Sequence, residues 1–295
     1  MRNQRGLIQF WVSAAFLSSL CGPGAGTVCK AQFGPQAALE PIHWSWRVTY
    51  LANEGVLFGR DDNSVLVDAL FREGVKGYDR LDDFRQNYLE TGGKPFDKVP
   101  LVLVTHKHAD HFDAYAVTRF LKENDKAIFA SSPQVVELLS AVVGDDPGIE
   151  SRIKTVDPRG DGKVELSVGE LKVDAVRLSH GEDKMSDVTN LGFIVYMGEK
   201  RVLHVGDAQL NDITRKPLLR HAVGVDAACV PYWWALDEDG RRFLHDTLKV
   251  GRIIAIHIPP DRRDEILSRI READKSITVL LKYPQSTSFS RVSKK

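Results

Sequence analysis

A layered α/β fold is the expectation from this sequence, and three observations carry it. Apolar runs of strand length recur along the chain, helical stretches alternate with them, and several of the runs end directly in a histidine or aspartate. The 295 residues are 43% hydrophobic, enough to bury a large core without disulfide staples. Lys plus Arg and Asp plus Glu both total 40, and this balance gives no basic field to steer nucleic acid, so none is expected as a partner.

The N-terminus stands apart from that fold. Arg2 and Arg5 precede an apolar run at 7–20, followed by small and turn-forming residues with cleavage placed after Ala31, so 1–31 read as a secretory signal and the mature chain as exported, periplasmic or secreted. The run is short for a bilayer and holds Gln9, so no transmembrane span is expected in the mature chain. Cys21 would suit a lipid anchor, but bulky Leu20 stands where lipoprotein signals carry a small residue. Cleavage removes Cys21 and Cys29, leaving Cys229 in the apolar run 227–230 as a buried small hydrophobe.

The fold is expected to begin at residue 42, where Ile42, Trp44, Trp46, Val48 and Tyr50 alternate with His43, Ser45, Arg47 and Thr49 in the period-two pattern of a half-buried strand. A second strand at 55–59 passes through the turn Asp61-Asp62-Asn63 to a third at 64–67, which ends at Asp68. Residues 70–98 are rich in charge and glycine, with a short helix at 81–89, and form either a flap over neighbouring strand ends or a plain surface insertion. A strand at 101–104 then leads through Thr105-His106-Lys107-His108-Ala109-Asp110-His111 to a helix at about 112–122, a strand at 127–130 and a helix opened by Ser132-Pro133. Gly and Asp punctuate 144–162. Residues 163–168 and 171–178 make a hairpin across Gly169-Glu170 that delivers the chain to Ser179-His180-Gly181.

Strands at 191–197 and 201–205, a helical stretch near 217–222, a strand at 225–230 and a helix across 241–250 continue the alternation. The closing elements are a strand at 252–256, a charged helix at about 261–273 with i,i+4 pairs, and a strand at 276–281. Both halves share a strands-then-helix rhythm. One domain is therefore placed at 42–282, with 283–295 as a C-terminal tail.

Five of the apolar strands run straight into a residue able to bind metal or orient a ligand. They deliver Asp68; His106, His108, Asp110 and His111; His180; Asp207; and His257. In layered α/β folds strand exits converge on one rim, where loops held by a rigid sheet carry function. Imidazole and carboxylate suit Zn²⁺, Fe or Mn, and a pair of ions about 3.5–4 Å apart needs a carboxylate or hydroxide between them. A ligand set of His and Asp on loops, without cysteine, suits a site with room for water rather than a closed structural zinc site.

These residues carry a resemblance: the chain is similar to the metallo-β-lactamase-fold hydrolases. The family's HxHxDH signature after a strand is matched by His106, His108, Asp110 and His111, and its later single ligands by His180, by Asp207 in HVGDAQ and by His257 in AIHIPP. The likeness covers about residues 46–282 in the right order. It implies a four-layer αββα metallo-β-lactamase-type sandwich, two mixed sheets flanked by helices, with two divalent metal ions, Zn²⁺ first and Fe or Mn as alternatives. His106, His108 and His180 would hold one ion, Asp110, His111 and His257 the other, and Asp207 would bridge them, with Asp68 fixing a ligand histidine through a hydrogen bond. True β-lactamases of the fold lack the bridging aspartate, so Asp207 points to the wider hydrolase branch. A looser likeness of NEGVLFGRDDNSVLVD is to the ascorbate-lactonase-like and phospholipase-D-like members. The flavodiiron branch carries glutamate where this chain has His108.

The implied chemistry is hydrolysis of a small-molecule ester, lactone or related bond. A metal ion lowers the pKa of bound water from about 15.7 toward about 7, giving hydroxide at neutral pH, and Asp110 would orient that nucleophile or accept its proton. The alternatives are a phosphodiesterase acting on a lipid or nucleotide, a mononuclear iron oxygenase of the same fold, or a metal-binding protein without turnover. His204, inside a strand, reads as a core residue or one supporting a ligand, and His43, His221 and His245 as surface or packed residues. Tyr232-Trp233-Trp234 would either wall a substrate pocket or plug the gap between sheet and helix.

Overall fold

The computed structural model describes residues 46–60, 63–181 and 187–289; the segment 1–31 read as a signal, His43, the expected start of the first strand and Asp61-Asp62 lie outside them. The meander β1 (Trp46–Ala52), β2 (Gly55–Arg60) and β3 (Asn63–Val67) is followed by β4 (Leu101–Leu103), β5 (Ile128–Ser131) and β6 (Ile153–Thr155), which run parallel to β3. The second half repeats the plan: β7 (Lys163–Val168), β8 (Leu171–Ser179), β9 (Thr189–Met197) and β10 (Lys200–His204) are antiparallel, then β11 (Ala227–Pro231), β12 (Ile253–Ile256) and β13 (Thr278–Val279) run parallel to β10. With β14 (Ser286–Phe289) on β1, each half makes a seven-stranded mixed sheet.

The sheets face each other, and the alternation of side chains explains why the runs are apolar throughout. Val65, Val67, Leu101 and Leu103 point into the core between the sheets, where they meet Phe193, Val195, Val202, Cys229 and Ile254. Their neighbours Leu66, Val102 and Val104 point outward, beneath α2 (Ala114–Glu123) and α3 (Pro133–Val143). On the far side Leu203, Ala228, Val230 and Ile253 pack under α5 (Asp212–His221) and α8 (Arg263–Ala273). Strands buried on both faces have no polar face to show. The result is a four-layer αββα sandwich, as the resemblance implied.

Several boundaries differ from the sequence reading for local reasons. α2 starts at Ala114 because the Asp113 side chain accepts from the Ala116 N–H at 2.8 Å. α1 (Asp83–Glu90) is likewise capped by Asp82. α5 starts at Asp212, capped by Asn211, so Pro217 lies inside the helix and does not open it. The stretch 144–162 holds α4 (Pro147–Glu150) and the three-residue β6, both too short to show a period. The helix expected across 241–250 begins earlier, as α7 (Glu238–Arg242), and continues as a π-helical turn at Phe243–Thr247, with a separate one-turn α6 (Tyr232–Leu236) before it. Part of the segment read as a tail is β14, whose polar Ser-Thr-Ser sequence carries no apolar run.

Phe193 sits wholly buried between the sheets. Phe193→Ala is expected to cost about 3–5 kcal/mol through the cavity it leaves, read as a lowered urea midpoint with an unchanged slope.

Candidate metal centre

Strand direction puts the polar exits on one rim. β3 and β4 are parallel neighbours, so Asp68 and Thr105 emerge side by side. β8 and β10 both run antiparallel to β9 and therefore share a direction, which β12 shares through β11. The Leu191 N–H donates to the Thr105 carbonyl at 2.9 Å and ties the two sheets together there.

Asp68 organises the floor. Its carboxylate, fully buried, accepts from the Thr105 N–H at 2.7 Å, the Thr105 hydroxyl at 2.6 Å and His111 Nδ1 at 2.9 Å. Because the Thr105 hydroxyl spends its proton on Asp68, it can only accept from His106 Nδ1, 2.9 Å away. Both rings therefore carry hydrogen on Nδ1 and present Nε2 to the centre. His108 Nδ1 lies 3.1 Å from His106 Nε2.

Asp207 lies between the two groups of histidines. Its Oδ2 is 3.8 Å from His106 Nε2 and 3.7 Å from His180 Nε2, while its Oδ1 is 3.3 Å from His111 Nε2 and 3.1 Å from His257 Nε2. Asp110 Oδ2 stands 3.7 Å from both His111 and His257. The structure thus brings His106, His108, His180 and Asp207 into one group of potential donors and Asp110, His111 and His257 into an adjacent one. His111 Nε2, Asp207 Oδ1 and both ring nitrogens of His180 and His257 are buried without a hydrogen-bond partner. Such atoms are rare in a folded interior and fit a site built for cations.

The β1–β2 turn, absent from the sequence reading of the site, enters from below. Asn53 Nδ2 donates to Asp110 Oδ2 at 3.0 Å and to the Asp110 carbonyl at 3.2 Å, and the Asn53 carbonyl accepts from the His257 N–H. Glu54 is fully buried, with neither carboxylate oxygen hydrogen-bonded, and it lies within ligand spacing of His111 and Asp207. His204 donates from Nε2 to the Glu54 carbonyl at 3.0 Å and accepts at Nδ1 from the Gly206 N–H, so it is a core residue that holds the turn. Asn-Glu-Gly in sequence reads only as turn chemistry, and Thr105 only as the end of a strand. A glutamate at the tip of a turn between two apolar strands was the one available signal for Glu54.

Charge follows from this crowding. Burial, and then the nearby Asp207, Asp68 and Asp110, push the Glu54 carboxyl well above its usual range. Burial opposes charge on both His111 and Asp207, yet Asp207 and Asp68 hold His111 well above the ordinary histidine range, while His257 and His111 hold Asp207 well below that of a carboxylate. Burial pushes His106 well down, and brings His180 to about 4 despite the pull of Asp207.

Aromatic side chains stand beside His257. The Tyr78 ring meets it edge-on at 4.3 Å between centroids, and Trp233 at 5.3 Å, with Tyr232 against Trp233. Tyr78 comes from the segment 70–98, and its neighbour Asp79 accepts from Arg263 at 2.7 Å and from the Tyr50 hydroxyl at 3.3 Å. Trp234 departs from the wall reading. It is buried at 1% exposure in the core beneath the second sheet's helices, because its position on the one-turn α6 faces inward while Trp233 faces the rim. The His221 and His245 rings bond to Asp161 and Asp274 at the surface.

The profile of the Beta-lactamase superfamily domain matches residues 63–281, about three quarters of the chain, without singling out the ascorbate-lactonase-like branch. Among solved structures the chain is similar to a possible metal-dependent hydrolase from Veillonella parvula, at TM-score 0.61 and 16% identity over 83% of this chain and 100% of that one. It is similar also to isothiocyanate hydrolase from Delia radicum gut bacteria, at TM-score 0.60 and 16% identity over 83% and 100%. A third likeness is to the metallo-beta-lactamase fold protein YhfI from Bacillus subtilis, at 0.58 and 16% over 83% and 99%. A search of the curated proteins returns no match. No helix among the described residues is long and apolar enough to cross a membrane.

Two outcomes follow from the geometry. Gly206 has φ +58°, and a Cβ there would meet Asn190 Oδ1 at 2.5 Å and the Thr105 side chain at 2.8 Å. Gly206→Ala is expected to cost about 1–3 kcal/mol and to weaken metal uptake by displacing Thr105, measurable by urea unfolding and metal titration. The second concerns pH. Above 6.5 both folded and unfolded chains hold His180 neutral; between 6.5 and about 4 only the unfolded chain takes its proton. The His180 contribution to the stability of the metal-free protein is therefore lost as pH falls through that window, and Tm should drop less over it in His180→Asn than in the wild type.

Proposed function

The chain belongs to the beta-lactamase superfamily, and from that premise we propose that it is a metal-dependent hydrolase whose His106, His108, Asp110, His111, His180, Asp207 and His257 hold two divalent ions to cleave a small-molecule ester, lactone or related bond. The observation that carries this reading is the division of Asp207: one oxygen faces His106 and His180, the other faces His111 and His257. The orphaned nitrogens around it supply the fit, since neutral imidazole and carboxylate suit Zn²⁺, Fe or Mn.

When bound, such ions supply an acidified water and a Lewis-acidic face for the oxygen that gains charge. The protein supplies the orientation. Asp68 and Thr105 lock the His111 and His106 rings with Nε2 facing inward, so these rings arrive without a rotational choice to make. Asp110, pinned by Asn53, is the group that orients the attacking water and takes its proton. Tyr78 and Trp233 beside His257 set an apolar border for the substrate.

The test is a panel of lactones, thioesters and phosphodiesters assayed with metal-loaded protein, together with metal analysis. About two ions per chain are expected, with turnover on the acyl substrates, and Asp110→Asn should lower kcat by about 10²–10⁴-fold with KM little changed. Activity that survives Asp110→Asn removes the role given to Asp110. One iron per chain with oxygen uptake, in place of hydrolysis, would overturn the hydrolase reading itself.

A further inference from the structure

We infer that Glu54 is an additional donor to the ion held by Asp110, His111, His257 and Asp207, and that it makes the two halves of the centre unlike in their choice of metal. The inference rests on the dinuclear reading above and adds a residue and a selectivity to it. The Glu54 carboxylate is fully buried, and neither oxygen has a hydrogen-bond partner. One of its oxygens, a His111 ring nitrogen and an Asp207 oxygen all lie within 4.8 Å of one another. His111 Nε2 and Asp207 Oδ1 lie 3.3 Å apart without a well-formed hydrogen bond between them, so all three groups are short of a partner. Donors on opposite sides of one such ion stand about 4 Å apart, which this spacing meets with little adjustment.

A second grouping, Glu54 with Asp68 and His204, has the spacing but not the lone pairs. Asp68 is already engaged by Thr105 and His111, and both ring nitrogens of His204 are hydrogen-bonded. Glu54 is therefore directed to the Asp207 side. Its backbone is fixed there by His204, and by Gly55, where a Cβ would meet the Asp68 carbonyl at 2.8 Å.

The donor sets then differ in kind. One half has three imidazoles and a share of Asp207, a borderline set suited to Zn²⁺. The other has two imidazoles with Asp110, Glu54 and the second oxygen of Asp207, a harder and more anionic set that favours Mn²⁺ or Fe²⁺.

The full-length chain, stripped by chelation, is titrated with Mn²⁺ and Zn²⁺ as wild type and as Glu54→Gln, with bound metal counted by mass spectrometry and affinity read by calorimetry. The wild type is expected to take one Zn²⁺ and one Mn²⁺ from a mixture, and Glu54→Gln to bind Mn²⁺ at least about tenfold more weakly while keeping its tighter Zn²⁺. Equal Mn²⁺ affinity in the two proteins overturns the role of Glu54 and leaves the dinuclear reading standing. A wild type that holds only one ion of any kind overturns both. Anomalous diffraction from wild-type crystals loaded with both metals needs no variant: manganese within about 2.2 Å of a Glu54 oxygen supports the inference, and a separation beyond about 3 Å defeats it.

Discussion

Four carboxylates, from Glu54, Asp68, Asp110 and Asp207, crowd one site, three of them buried and Asp207 13% exposed, and that concentration of like charge is what the surrounding structure must satisfy. An unpaired buried ion costs several kcal/mol, so each carboxylate needs protons, hydrogen-bond donors or cations close by. Asp68 has three donors. Asp110 has Asn53, and Asp207 has four imidazoles around it. Glu54 alone of the four has no donor among the described residues, and Asp207, Asp68 and Asp110 all act on it.

The fold meets this demand by bringing two similar halves together. Each contributes a sheet that is antiparallel at first and then parallel, and the exits that matter fall on the same rim. Neither half carries a complete set of the proposed ligands. The first supplies His106, His108, Asp110 and His111 from one loop, and the second supplies His180, Asp207 and His257 from three. The core between the sheets therefore does more than stabilise: it fixes the distance between the two contributions. Close-packed interiors transmit small displacements, so the spacing across Asp207 depends on residues such as Phe193 and Phe58 in the core between the sheets.

Much of this was legible in the sequence because both physical signals are strong. Strands covered on two faces must be apolar throughout, so the runs ending at Asp68, Thr105, Ser179, His204 and Ile256 stood out, and the polar residue after each stood out against them. What stayed hidden works through ordinary-looking groups. Thr105 sets the His106 tautomer with a hydroxyl that any strand end might carry, and Asn53 and Glu54 occupy a turn whose composition is explained by turning alone. Tyr78 lies in a charged loop, and its neighbour Asp79 is tied to Arg263 and Tyr50, both distant in sequence, where Tyr78 meets His257. β6 and β14 are too short or too polar to show a period, and Trp234 differs from Trp233 only in the face of a single helical turn.

The backbone around the centre carries a further cost. Asn53, Asp68 and His257 all adopt left-handed conformations, at φ 51°, 49° and 61°, which cost any residue other than glycine something, though Asn, Asp and His enter them more readily than most. Glycine would relieve that tension at any of the three, yet each supplies an atom the cluster uses: an amide, a carboxylate and an imidazole. Attempts to raise the thermal tolerance of this protein by relaxing its most strained peptides would therefore erode the arrangement those peptides maintain, and an engineer would find safer gains in the helices of the outer layers.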